Sequence, residues 1–192
     1  YYIRADWLKA LNMKAPTNED ELFAYAQAVV SGDPNKNGKA DTWFMGTGGG
    51  GNGWGMLDAF KSMYGHPSWN TVDGKLNHPM LDGTTERFLE FLKKLNDNKL
   101  LAPDWYTMGW EPFKAYTMND QIGMVRYPGW NLVDEQYNAK NRDPNAVNLW
   151  EPIEPLQSND GKGGKYEPGG TPGGLFIVSK KAGEDEGKLK RI

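Results

Sequence analysis

Apolar residues return along this chain first at helical spacing and then in short blocks. Trp7, Leu8 and Leu11 share one side of a piece spanning 5–11, and Leu22, Ala26, Val29 and Val30 recur every three or four residues. Thr17 precedes the second run and acidic residues fill its first turn, so Thr17 reads as the N-cap and Gly32 as the end. Phe88, Phe91, Leu92 and Leu95 define another helix, with Asp82, Thr84 or Thr85 as caps, and Met56, Leu57, Phe60, Met63 and Tyr64 fit a short amphipathic one. The blocks 122–126 and 175–179 are apolar and flanked by Gly, Pro or Lys, which predicts buried strands, the first followed by a helix over about 132–141.

Between these elements the chain is punctuated heavily. A polar loop covers 33–42 and a glycine run covers 47–55, which no helix or strand tolerates. Residues 69–78 read as a small hairpin around Asp73-Gly74, and 151–174, with four prolines and many glycines, as loop and crossover. Helices outweigh strands and their order is mixed, so the expected architecture is an α/β lobe, helix-rich with a small mixed sheet. No internal repeat is visible.

The 192 residues suffice to bury a core as one globular unit. Cysteine is absent, which removes disulfides and thiolate chemistry from this segment while leaving the redox compartment open. A net charge of −3 with scattered lysines argues against a nucleic-acid partner. No apolar run approaches the roughly 18 residues of a membrane span. Residues 1–4 read as the end of a strand passing directly into a helix, and 183–192 as a helix barely begun. The chain is therefore expected to be a segment of a longer protein, with any export signal upstream.

The strongest local motif is Asp33-Pro34-Asn35-Lys36-Asn37-Gly38-Lys39-Ala40-Asp41. Oxygen side chains at alternate positions aim at one point, glycine at the sixth position permits a sharp bend, and the seventh offers a carbonyl; this is the ligand pattern of an EF-hand loop. Asp33, Asn35, Asn37 and Asp41 would supply side-chain oxygens and Lys39 its carbonyl to a calcium ion. The twelfth position is Phe44, so bidentate Asp41, the Thr42 hydroxyl or water must close the shell. With two carboxylates and no second hand, the expected role is structural; a metal-free turn of Asn, Asp and Gly is the simpler alternative.

Eight tryptophans and nine tyrosines form a heavy aromatic load. Trp54, Trp110, Tyr127 and Trp130 lie in glycine-rich loops or just after a strand, where α/β folds place ligands, and an indole face packs on the C–H face of a sugar ring. Asn131, Asn52 and Glu111 are candidate polar contacts. Trp7 and Trp105 read as packing residues; Trp43, Trp69 and Trp150 fit either role. Core filling is the competing explanation for each aromatic taken singly.

These residues carry a resemblance. Tyr2-Ile3-Arg4-Ala5-Asp6-Trp7-Leu8, then Leu11, Pro16-Thr17 and Glu21-Leu22, is similar to the "Ile-Arg-Lys-Asp-Trp-Leu … Pro-Thr-Thr … Glu-Leu" segment of extracellular solute-binding proteins of carbohydrate ABC transporters, a group that includes lipoprotein oligosaccharide binders and alginate-binding proteins. The loop from Asp33 to Thr42, Trp69 with Asp73-Gly74-Lys75-Leu76, Leu100-Leu101-Ala102-Pro103-Asp104, Gly123-Met124 with Gly129-Trp130, and Gly169 to Gly174 followed by Leu175 to Lys181 resemble the family's calcium loop and successive stretches in order. Thr42 stands where alginate binders have an acidic calcium ligand, and glycines 48–51 are not a family hallmark.

The resemblance implies one lobe of a two-lobe, periplasmic-binding-protein-like (type II) fold, with residues 1–192 forming most of the second lobe and a hinge or crossover at about 151–179. It implies a mono- or oligosaccharide held between lobes, a membrane permease and the missing first lobe as partners, a monomer, and an extracytoplasmic location as a cell-surface lipoprotein or in the periplasm. The rival class is a calcium-stabilised carbohydrate-active enzyme or binding module. A glycosidase needs two carboxylates about 5 to 10 Å apart across one bond; Asp104 with Glu111 and Asp134 with Glu135 are the tempting pairs, and neighbouring helix positions do not face each other. His66 and His78 lack the spacing of a triad or zinc site.

Overall fold

The computed structural model describes residues 1–50, 56–126 and 149–164. Strand β1 (Tyr2–Arg4) runs without a break into helix α1 (Ala5–Ala10), as its sequence predicts. Helix α2 (Glu19–Ser31) ends at Gly32, but its N-cap is Asn18 rather than Thr17. Asn18 Oδ1 accepts the Glu21 N–H at 2.9 Å, and the Glu21 carboxylate accepts the Thr17 N–H and hydroxyl at 2.8 Å each. This is a capping box displaced by one residue, which satisfies amide groups that the first turn leaves open.

The segment 56–64 forms a 3-10 helix over Asp58–Met63 instead of an α-helix. A 3-10 turn eclipses side chains three apart, and here it buries Leu57, Phe60 and Met63 together. The hairpin is present as β2 (Asn70–Val72) and β3 (Lys75–Asn77), turning through Asp73 and Gly74 at positive φ. Helix α3 (Thr84–Asp97) follows, with Asp82 Oδ1 accepting the Thr84 N–H at 3.0 Å. Helix α4 (Trp110–Met118) has no counterpart in the sequence reading, which left these residues as loop.

The block 122–126 contributes a strand of two residues, β4 (Met124–Val125), and β5 (Trp150–Pro152) opens the proline-rich region assigned to loop. The named strands pair in the order β4-β1-β5, both contacts of β1 being antiparallel. Single parallel bridges extend the layer: Trp43 pairs with Ile122 and Met45 with Leu101. Segments 100–102, 43–46 and 122–125 thus run in one direction, with β1 reversed beside them. The helix expected at 132–141 and the strand at 175–179 lie outside the described residues.

Adjacent residues on β1 and β4 alternate between two apolar clusters, as strand geometry requires. Ile3 and Met124 join a large cluster with Trp7, Leu22, Tyr25 and Phe88, while Val125, packed with Tyr2, belongs to a smaller one with Met108, Phe113 and Ile122. Helices α1 to α3 supply the first face and α4 the second. Gly123 sits at the closest approach: a Cβ there would meet Val29 Cγ2 at 2.9 Å and the Tyr25 hydroxyl at 3.1 Å.

Candidate functional site

The loop 33–42 draws the side chains of Asn35 and Asn37 against Asp41. Asp33 accepts the N–H groups of Asn37 (3.1 Å) and Gly38 (3.0 Å), and Asn37 Oδ1 accepts the Lys39 N–H at 2.8 Å. The Asn37 amide nitrogen donates to both oxygens of Asp41, at 3.1 and 3.2 Å, and that of Asn35 to one of them at 3.4 Å. Asp33, Lys36 and Gly38 hold φ of 45°, 55° and 74°, which winds the chain tightly enough for this convergence. Among the described residues no three His, Cys, Asp or Glu side chains gather. The loop's donors are two carboxylates, two amides and backbone carbonyls, an all-oxygen set suited to a hard cation.

Asparagine is the component that adapts. Rotating either amide by half a turn exchanges its N–H₂ for a carbonyl oxygen, so Asn35 and Asn37 can solvate the Asp41 charge or join it around a cation. The Asn37 amide, against the opposing effect of desolvation, holds the Asp41 carboxyl below its ordinary range, with Asn35 and Lys39 assisting. Thr42 faces elsewhere: its buried hydroxyl donates to the Val29 carbonyl at 2.7 Å, tying the loop to the end of α2.

The loop is wired to β1. Asn35 donates to the Asp120 carbonyl at 2.9 Å, and Gln121 Nε2 to the Asp41 carbonyl at 3.2 Å. The Asp120 carboxylate in turn accepts from Arg4 at 2.7 Å. Arg4 is buried, gripped also by Asp6 at 2.6 and 2.8 Å, with its guanidinium 4.6 Å from the Trp7 ring centroid and 5.6 Å from that of Trp150. Burial works against this charge, and Asp6 and Asp120 more than offset it, leaving the Arg4 pKa raised.

The three parallel segments all deliver their carboxyl ends to one edge of the sheet, the place where open α/β sheets bind ligands. Thr47 to Gly50 leave there, and Gly49 bridges Gly109. Trp110, read from sequence as a loop residue, is the first residue of α4, partly buried 6.2 Å from Phe113 between ring centroids and laid against Gly48. A Cβ at Gly48 would come within 3.0 Å of Trp110 Cε3 and 3.2 Å of its Cα. Trp54, Asn52, Tyr127, Trp130 and Asn131 lie outside the described residues.

Of the remaining tryptophans, Trp7 is buried, Trp69 stands 61% exposed beside His78, and Trp150 covers Arg4. Trp105, assigned to packing, does touch the main core but also lines a groove of about 550 Å³ together with Trp43 and Tyr106. Sequence reasoning did not join these residues, because about sixty positions separate Trp43 from the other two. The parallel bridge from Met45 to Leu101 is what brings them together.

The fold is that of part of a two-lobe, periplasmic-binding-protein-like architecture, the fold of its structural neighbours. Over 99% of its length the chain is similar to two proteins of Bacillus subtilis (strain 168): the polygalacturonan/rhamnogalacturonan-binding protein YtcQ, 29% identical over 204 residues, and the lipoprotein LipO, 26% identical over 200. It spans 37% and 38% of their respective lengths. Among solved structures, the S. pneumoniae ABC-transporter substrate-binding protein FusA in complex with kestose superposes with a TM-score of 0.65 at 21% identity, over 84% of this chain and 32% of that one. An EF-hand mutant of FusA with fructo-nystose superposes at 0.64 and 20% identity, over the same shares of the two chains. No family model matches the sequence. Among the described residues no helix is long and apolar enough to cross a membrane.

Proposed function

We propose that this chain is most of one lobe of a substrate-binding component of an ABC importer, which holds a mono- or oligosaccharide between two lobes by aromatic stacking and hydrogen bonds and performs no chemistry on it. The observation that carries the reading is the shared edge where three parallel segments end, with Trp110 seated there on Gly48. An indole fixed against a side-chain-free backbone presents a rigid face at little entropic cost, which suits a C–H face of a pyranose. Trp54, Tyr127, Trp130 and Asn131 complete the wall in this reading. The ligand names of YtcQ and FusA favour galacturonan-type and kestose-type saccharides as the classes to try first.

The same reading assigns Asp33, Asn35, Asn37, Lys39 and Asp41 to a structural calcium ion, supported by the approach of the Asn35 and Asn37 side chains to Asp41 and by the bonds that tie the loop to Asp120 and Gln121. The ion would cancel the charge of the two carboxylates and fix the amide orientations. It extends to a membrane permease as the receiving partner, to an extracytoplasmic site as a lipoprotein or periplasmic form, and to a hinge in about 151–179. Titrating the protein with oligogalacturonides and fructo-oligosaccharides while following tryptophan fluorescence and reducing-end release tests it. Saturable quenching or enhancement without new reducing ends is expected; turnover overturns the reading.

A further inference from the structure

The groove beside Leu101 has the chemistry of a second, outer saccharide site. Among the described residues it lies beside segment 100–102, and Trp110 does not line it. Two partly buried indoles and a phenol make its aromatic part. Trp105 donates its ring N–H to Asn96 Oδ1 at 3.0 Å and meets Tyr106 edge-on at 5.6 Å between centroids; Trp43 is braced edge-on against Tyr116 at 5.2 Å. The indoles are thus held in place before any ligand arrives, which limits the entropy lost on binding.

The polar rim is equally defined. Pro103 and Asp104 form a tight turn, closed by the Trp105 N–H on the Ala102 carbonyl at 3.1 Å, with Asp104 at φ 55°. A non-glycine residue in that region is uncommon, and the turn puts both Asp104 and Trp105 on the lining of the groove. Lys99, at φ 56° just past the end of α3, and Thr107 stand on the same rim. Among the described residues neither Lys99 nor Asp104 is in an ion pair, so one carboxylate and one ammonium remain available to ligand hydroxyls or to a sugar carboxylate.

We infer that this groove binds a pyranose ring of a saccharide, stacked on Trp105 and Trp43 and hydrogen-bonded by Asp104 and Lys99, at a site that Trp110 does not line. Aromatic faces set beside unpaired polar side chains match a molecule with one C–H face and a hydroxylated rim. A volume of about 550 Å³ accommodates one or two rings. The site stands on its own residues and does not depend on Trp110 or on the calcium loop. Its occupant could be a distal part of a long chain or a separate saccharide, since both present the same ring.

Two-dimensional ¹H–¹⁵N spectra of the full chain, titrated with maltose and with digalacturonate, test it through the indole N–H signals. Saturable shifts at Trp43 and Trp105 with a dissociation constant on the order of 1–10 mM are expected for one or both probes. Tyr106→Ala, at a position that is already 49% exposed, and Asp104→Asn, which tolerates the positive φ, should each weaken that binding about tenfold while leaving shifts at Trp110 as in the parent. Absence of saturable shifts at Trp43 and Trp105 with both probes, or shifts that both variants leave unchanged, would overturn the inference.

Discussion

Arg4 and Asp120 meet at 2.7 Å across 116 residues of sequence, joining the strand that enters the lobe to the turn that holds the cation-type loop. The pair matters because Arg4 is buried, whereas Asp6 and Asp120 keep side-chain exposures of 38% and 37%. Removing the arginine leaves a hole between Trp7 and Trp150 and takes a charged donor from both carboxylates. Arg4→Met should destabilise the fold by about 2–4 kcal/mol, and Arg4→Lys by less, since lysine keeps the charge but loses the planar fork. Urea denaturation of the two variants checks the order.

Calcium should raise the melting temperature of the chelator-treated protein, and Asp41→Ala should abolish the increase. The gain follows from binding to the folded loop alone, and grows with ligand concentration over the dissociation constant. Differential scanning fluorimetry with calcium and with magnesium separates the cations, the smaller one fitting a flexible loop of asparagines less well.

Acid should act on Asp160 later than on ordinary carboxylates. The Ser158 hydroxyl, opposed by desolvation and joined by Arg87, lowers its pKa to about 2. A carboxyl whose folded pKa is depressed contributes stability that is complete above its unfolded value near 4 and is lost as pH falls through about 2. Carboxyl ¹³C titration should place the Asp160 midpoint near 2 and return it toward 4 in Ser158→Ala.

Much of the fold was legible where local chemistry and burial agreed. Asp73-Gly74 flanked by short strand residues specified its hairpin, and the apolar stripe of α3 specified its buried side. The α2 start was misplaced by one residue because Thr17 and Asn18 are both capping types and only the position of Glu21 relative to the chain decides between them. Helix α4 escaped notice because Gly109 beside Trp110 read as loop, although Pro112 in its first turn removes no helical hydrogen bond. The sheet itself was least legible: the parallel bridges at Trp43 and Met45 span one residue each and leave no alternating pattern.

The same limits apply to the site. Spacing alone put Asn35 and Asn37 within reach of Asp41, because all three lie within one short turn. The support behind them was not visible, since Asp120 and Gln121 arrive from the far end of α4. Trp110 was singled out as an aromatic beside glycine, yet the glycine that matters for its placement is Gly48, not its neighbour Gly109.

Gly48 therefore offers a direct perturbation. Gly48→Ala would press a methyl group on Trp110 and should cost about 1–3 kcal/mol in stability while displacing the indole. Circular dichroism melts and the Trp110 indole resonance report the two effects separately.

Isothermal titration of an oligosaccharide panel into the native protein, run beside its Trp110→Ala variant, addresses the receptor reading most directly. The account predicts a saturable heat with intact saccharide recovered afterwards, and a variant weakened by about 1–3 kcal/mol. Cleaved saccharide, or a Trp110→Ala protein that binds as tightly as the parent, would contradict it.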